Sequence, residues 1–310
     1  MAESCPRNMS GTPRMRALMA GLLLTAAALA PALLTPALLT PAWSAEPPLR
    51  VGVVPSTPPF VEQDNAGHLS GFSVELFRAI AAEMKRTITF TAASHSDLMA
   101  DLAADRVDVL AGPIAATPER AAGLLFLQGY LWTEYQFGSR AEAPITALSD
   151  LHGRRLAVVA DTDYAGWAER NAAKLGFTVV TEPHAVDVFD AVRRNDADAS
   201  LTGSPALAGA IGPHPGGNGH DHPRLIAGLS LPETRSQETA AVAQTGQELR
   251  DEIEDALDCL KQSGSVARLS QQWLGREPGP EDLENLIVPG HGVPGLAGYD
   301  PKTQKPHCQP

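Results

Sequence analysis

Residues 107–120, VDVLAGPIAATPER, decide how the fold is read. Val107, Val109 and Leu110 read as a short buried strand running into a loop. The loop then meets a helix start, with Thr117 as N-cap, Pro118 at the first helical position and Glu119 in the first turn. A loop that ends at a helix N-terminus presents unpaired backbone N–H groups to an anion. Arg120 follows on that turn, and an arginine can grip a carboxylate with two parallel hydrogen bonds. Taken alone, the same pattern also describes an ordinary strand–turn–helix with a solvated arginine.

Working outward, residues 50–54 read as a first strand, 55–59 as a stiff proline turn and 64–67 as a hairpin turn. Ser73 can cap a helix whose apolar positions Val74, Phe77, Ile80, Ala81 and Met84 recur at helical spacing, which marks a core-facing side. Residues 87–92 alternate as a strand, 96–104 read as a helix, and 107–111 close a β-α-β-α-β pattern. A second such unit follows: strand 155–160, helix 164–175, strand 177–180, helix 185–194, strand 197–201 and helix 204–211. Extended segments at 133–139 and 237–244 connect the two units. The expected class is therefore α/β with two lobes. Each lobe is a mostly parallel sheet flanked by helices, and two hinge strands join them. Lobe 1 spans 49–138 plus 237–276, and lobe 2 spans 139–236. Ligand sites in such sheets lie beyond the carboxyl ends of the strands, here the cleft between lobes.

The ends of the chain carry separate information. Arg7, Arg14 and Arg16 precede an apolar run at 17–39 broken by Pro31 and Pro36, and small residues follow near 41–45. This reads as a cleaved export signal covering 1–45 rather than a retained anchor, because prolines break a membrane helix. The whole chain has 24 basic and 36 acidic residues, net −12. The signal holds three of the basic residues and one of the acidic ones, so the remainder carries −14. That charge argues against nucleic acid and anionic membrane surfaces as partners. Cys259 and Cys308 then remain in an exported chain, either as one disulfide pinning the tail to a helix or as two free thiols. Residues 277–310 are rich in proline and glycine and read as an extended surface tail.

The segments LRVGVVPSTPPF at 49–60, GFSVELFRAIAAEM at 71–84, VDVLAGPIAATPER, and LSQQWLG at 269–275 combine into a resemblance. In order and spacing they resemble the extracytoplasmic solute-binding proteins of ABC importers, family 3, the type that binds polar amino acids. The likeness runs from about residue 49 to 275. It implies the type II periplasmic binding-protein fold, a periplasmic location, action as a monomer without a cofactor, and two partners: a small polar solute, such as an amino acid or another carboxylate, and a membrane permease.

The resemblance also assigns a ligand site. Arg120 matches the arginine that holds the ligand carboxylate. Ala115 keeps the backbone N–H of the family's Ser or Thr but not its hydroxyl. Pro113 replaces a loop glycine and offers only a carbonyl. Thr57 and His95 stand where aromatic walls are usual. Asp161 and Thr162, followed by Asp163 and Tyr164, replace a Gly-Thr pair. Gly203 precedes Ser204 and Pro205 where the family places an aspartate that binds the ligand ammonium, so that counter-charge is missing. Asp161 either replaces it or simply belongs to a helix cap. The resulting site set is Arg120, Ala115, Pro113, Thr57, His95, Asp161, Thr162 and Ser204.

Three functions compete: an importer receptor, a dehydratase-type enzyme on the same fold, and an accessory or chaperone-like protein for a periplasmic oxidoreductase system. The receptor reading leads and no catalytic residue is assigned. Neither a Gly-x-Ser-x-Gly elbow, a His-Glu-x-x-His helix nor a phosphate-cradling Walker loop is present. His214, His220 and His222 in PHPGGNGHDH read as a flexible polar loop, with a transition-metal site as the alternative; no metal is assigned.

Overall fold

The computed structural model describes residues 46–212, 224–302 and 308. The expected export signal and the three histidines at 214, 220 and 222 lie outside them. In chain order the elements are β1 (Leu49–Val53), β2 (Glu62–Gln63), β3 (Leu69–Ser70), α1 (Phe72–Glu83), β4 (Ile88–Ala92), α2 (His95–Ala103), β5 (Val109–Ala115), α3 (Pro118–Ala121) and β6 (Leu124–Phe126). There follow β7 (Leu131–Arg140), β8 (Arg155–Val159), α4 (Asp163–Leu175), β9 (Thr178–Glu182), α5 (Ala185–Arg193), β10 (Ala199–Gly203), α6 (Ser204–Ile211), β11 (Leu225–Ala243), α7 (Gln247–Gln262) and α8 (Ser265–Leu274).

The strand order is β4-β1-β5-β11-β7-β10-β8-β9, with β6 also paired to β11. β1 runs parallel to β4 and β5, and β8 runs parallel to β9 and β10. These are the two mostly parallel halves expected from the β-α-β patterns. Between them, β7 and β11 pair antiparallel with each other, so the sheet path is continuous from one half to the other. β11 pairs with β5 through its C-terminal part, and β7 pairs with β10. The two long strands therefore belong to both halves.

Each half has its own core. On α1 the spacing at Val74, Phe77, Ile80 and Ala81 buries one face against β1 and against Ile253 and Leu257 of α7. In the other half, Ala165 and Ala168 of α4 pack with Leu156, Val158 and Phe177, while Val188 and Val192 of α5 pack with Ala157 and Leu207. Apolar burial of this kind is the main favourable term in folding.

Several local expectations change. The N-cap of α1 is Gly71 rather than Ser73, with φ 119° and no side-chain cap bond. A Cβ there would sit 2.3 Å from the Phe60 carbonyl, so the close approach of two backbones selects glycine over a capping side chain. β5 also extends to Ala115 instead of ending in a loop at Gly112, because it pairs with β11 as far as Glu238. Its ladder shifts register between Thr239 and Ala241, opposite Gly112 and Pro113, where proline has no N–H to donate. Finally, the tail is not merely laid on the surface. Leu283, Glu284 and Val293 are buried. Glu254 accepts from Gly292 N at 2.9 and 3.0 Å, Lys261 Nζ donates to Leu286 O at 3.0 Å, and Arg250 donates to Gly298 O. Cys259 of α7 is joined to Cys308 by a disulfide.

Candidate functional site

Thr117 caps α3 as read from the sequence, accepting from Arg120 N at 3.4 Å, and Pro118 opens the helix. The helix itself is a single turn of four residues. It therefore offers little dipole to an anion, and any charge recognition here falls to the Arg120 side chain. Arg120 Nη1 donates to Ala115 O at 3.1 Å, which anchors the guanidinium at the end of β5. Nη2 lies 3.1 Å from Asp163 Oδ2, at the first helical position of α4 in the opposite half. The pair is only partly shielded, with side chains 25% and 40% exposed. The halves meet again where Pro59 touches α6: a Cβ on Gly209 would stand 2.2 Å from Pro59 Cδ. The two halves are thus closed on each other.

The other sequence-derived positions divide into two groups. His95 opens α2 and is exposed, yet desolvation and then the Arg120 charge hold its ring below the usual histidine range. Ala115, Arg120 and His95 thus fall at one place, facing Asp163. The hydroxyls of Thr57, Thr162 and Ser204 are used within the protein. Thr57 donates to Val54 O at 2.9 Å, Thr162 donates to Val159 O at 2.6 Å and caps α4 at Ala165 N, and Ser204 accepts from Glu134 N at 3.3 Å. Pro113 is half-buried inside β5. Asp161 is exposed with a left-handed φ of 57°, on the turn just before the Thr162 cap.

Sequence reasoning named Tyr164 beside the Asp161-Thr162 pair but missed Tyr135 and Glu238, which line the junction from the long strands β7 and β11. Tyr135 of β7 and Tyr164 of α4 meet edge to face with centroids 4.8 Å apart, supplying aromatic surface where Thr57 and His95 do not. Burial pushes both phenols up; Tyr164 stands well above the ordinary value, with the Glu238 charge adding to the effect. Glu238 of β11 is 4% exposed, flanked by Ala115 of β5 and Leu131 of β7. Its carboxyl is pushed up to about 7 by burial and by Asp163, against the lowering influence of the Thr133 hydroxyl and Arg120. The only sequence signal for it is an acidic residue heading the apolar run TAAVA at 239–243. A surface depression lined by Glu83, Glu252, Asp255 and Cys259 includes none of these cleft residues.

Residues 49–276 match the family described as bacterial extracellular solute-binding proteins, family 3. The chain belongs to that family. Family 3 members are solute-binding proteins that work outside the cytoplasm, and this chain shares their fold. It is similar to a probable amino-acid ABC transporter-binding protein of Haemophilus influenzae, 24% identical over 231 residues, covering 73% of this chain and 84% of that one. It is also similar to an L-cystine-binding protein of Escherichia coli strain K12, 23% identical over 231 residues, covering 74% and 83%. Among solved structures, an ancestral arginine-binding protein bound to arginine superposes with a TM-score of 0.64 at 22% identity, covering 73% of this chain and 97% of that one.

Proposed function

We propose that this family 3 protein is an exported, monomeric receptor that closes on a small polar carboxylate, an amino acid or a close relative of one, and presents it to the permease of an ABC importer. It performs no chemistry on the ligand. The observation that carries this reading is the Arg120–Asp163 contact. Arg120 stands at the junction of the two halves, is oriented by Ala115 O, and holds a carboxylate 3.1 Å away. A guanidinium in that setting suits a free carboxylate equally well. A ligand carboxylate would take the place of Asp163, so binding and lobe rotation would be linked. The amino-acid and cystine binders among its relatives support the ligand class, and so does the aromatic pair beside the arginine.

A thermal-shift screen of the purified protein against amino acids and organic acids tests the reading. A ligand that binds only the folded state raises the midpoint once its concentration exceeds Kd. The expected result is a shift with an amino acid or carboxylate that disappears in Arg120→Ala. No shift with any of them overturns the proposal.

A further inference from the structure

The carboxylate of Glu238 is buried at the junction of the two halves without a full set of donors. It is 4% exposed, and no described protein group donates to its Oε2. A buried carboxylate left half satisfied is costly, and such a group persists where something else supplies the missing donor. The Glu238 backbone is paired on both sides, to Ala115 and Leu131, which fixes where the side chain is attached on the strand joining the two halves. Gly203 lets other polar groups close in beside the Glu238 carboxyl. A Cβ at Gly203 would lie 2.8 Å from both Tyr164 Oη and Thr133 Oγ1 and 3.6 Å from Glu238 Oε1, so three polar groups converge on a residue with no side chain. The charged and titratable groups facing Glu238 are Arg120 on α3, Asp163 and Tyr164 on α4, Tyr135 on β7, and Tyr130 just before it. Arg120 is the cation among them, and it is already engaged by Ala115 and Asp163.

We propose that Glu238 is the acceptor for the cationic amino group of a ligand whose carboxylate is held by Arg120. The cleft then selects zwitterions over plain carboxylates. The anion that Gly203 cannot provide comes from the strand joining the two halves instead. This rests on the receptor reading above, which itself needs only Arg120. Because burial lifts the carboxyl to about 7, a docking cation draws it to the ionised form, and a proton leaves to solvent on binding.

The test is calorimetry on the full-length protein and on Glu238→Gln. The probes are the standard L-amino acids, L-cystine, and the des-amino carboxylate matching each amino acid that binds. In the wild type, removing the amine is expected to weaken binding by about ten- to hundredfold, the range for a hydrogen bond to a charged group. Glu238→Gln is expected to lose a similar factor for the amino acid and nothing for the des-amino analogue. It should also lose the dependence of binding enthalpy on buffer ionisation that reports proton release. Equal wild-type affinity for both members of a pair overturns the proposal while leaving the receptor reading intact. So does an amino acid that binds Glu238→Gln as well as it binds the wild type. A wild type that binds neither set overturns the receptor reading itself. Should Glu238→Gln fail to fold, the wild-type comparison of paired ligands and the proton release still decide.

Discussion

Replacing Cys308 by serine removes the disulfide with little direct damage to the folded state. Cys308 is exposed, whereas Cys259 is buried on α7, where a serine hydroxyl would be left in apolar surroundings. The tail does not depend on the bond to stay docked. Lys261 holds Leu286 O, Glu254 holds Gly292 N and Arg250 holds Gly298 O, all before the chain reaches residue 308. The effect therefore falls on the unfolded chain. The bond closes a loop with a sequence separation of 49 residues. In the chain-entropy account, opening such a loop costs about 4 kcal/mol of stability. For a protein of this size that lowers Tm by about 8–16 °C. Thermal unfolding followed by circular dichroism, on the wild type with and without reducing agent and on Cys308→Ser, measures it. The reduced wild type and the variant should melt together, well below the oxidised wild type. A difference under about 2 °C would refute the reasoning, and so would two titratable thiols in the unreduced, denatured protein residues 46–310.

Three further outcomes follow from the geometry. Gly209→Ala places a Cβ 2.2 Å from Pro59 Cδ, a rigid ring atom. The closed arrangement should then be strained by about 1–3 kcal/mol, weakening ligand binding by about five- to hundredfold and enlarging the radius of gyration in small-angle scattering. Thr162→Ala removes the cap of α4 and its bond to Val159 O, and denaturant unfolding should show a loss of about 1 kcal/mol. Glu238 has a folded-state pKa raised from 4.5 to about 7, so the folded chain binds its proton more tightly than the unfolded one, and the stability this contributes is lost as pH rises between those values. Glu238→Gln should therefore be more stable than the ligand-free wild type above pH 7, by up to about 3 kcal/mol, relative to their difference near pH 4.5. Unfolding curves at the two pH values that give the same difference would contradict it.

What the sequence makes legible here is what is local. The buried stripe of α1 is written at Val74, Phe77, Ile80 and Ala81, and the start of α3 at Thr117 and Pro118, because helix period and capping depend on neighbours a turn away. The alternation of strands and helices likewise displays two parallel half-sheets. What escapes is what depends on partners far along the chain. β5 runs on through Pro113 because β11, over a hundred residues later, pairs with it. Glu238 looks like the polar edge of a strand until β5 and β7 close on either side. Tyr135 and Tyr164 meet only once the long strands bring β7 beside α4. Proline and glycine content describes the tail as extended but says nothing of Lys261 and Glu254, whose burial on α7 fixes it there. Asp161 shows the same limit: its φ of 57° and its exposure are set by the turn before α4, which sequence spacing does not reveal.

Arg120 is the group proposed to receive a ligand carboxylate at the junction of the two halves. Calorimetric titration of the wild type and Arg120→Ala with the amino acid or carboxylate that shifts the wild-type melting curve tests it most directly. The expected result is saturable one-to-one binding that weakens by about a hundredfold when the guanidinium is removed, through the loss of charge-assisted hydrogen bonds. Binding of equal strength to both proteins would contradict it.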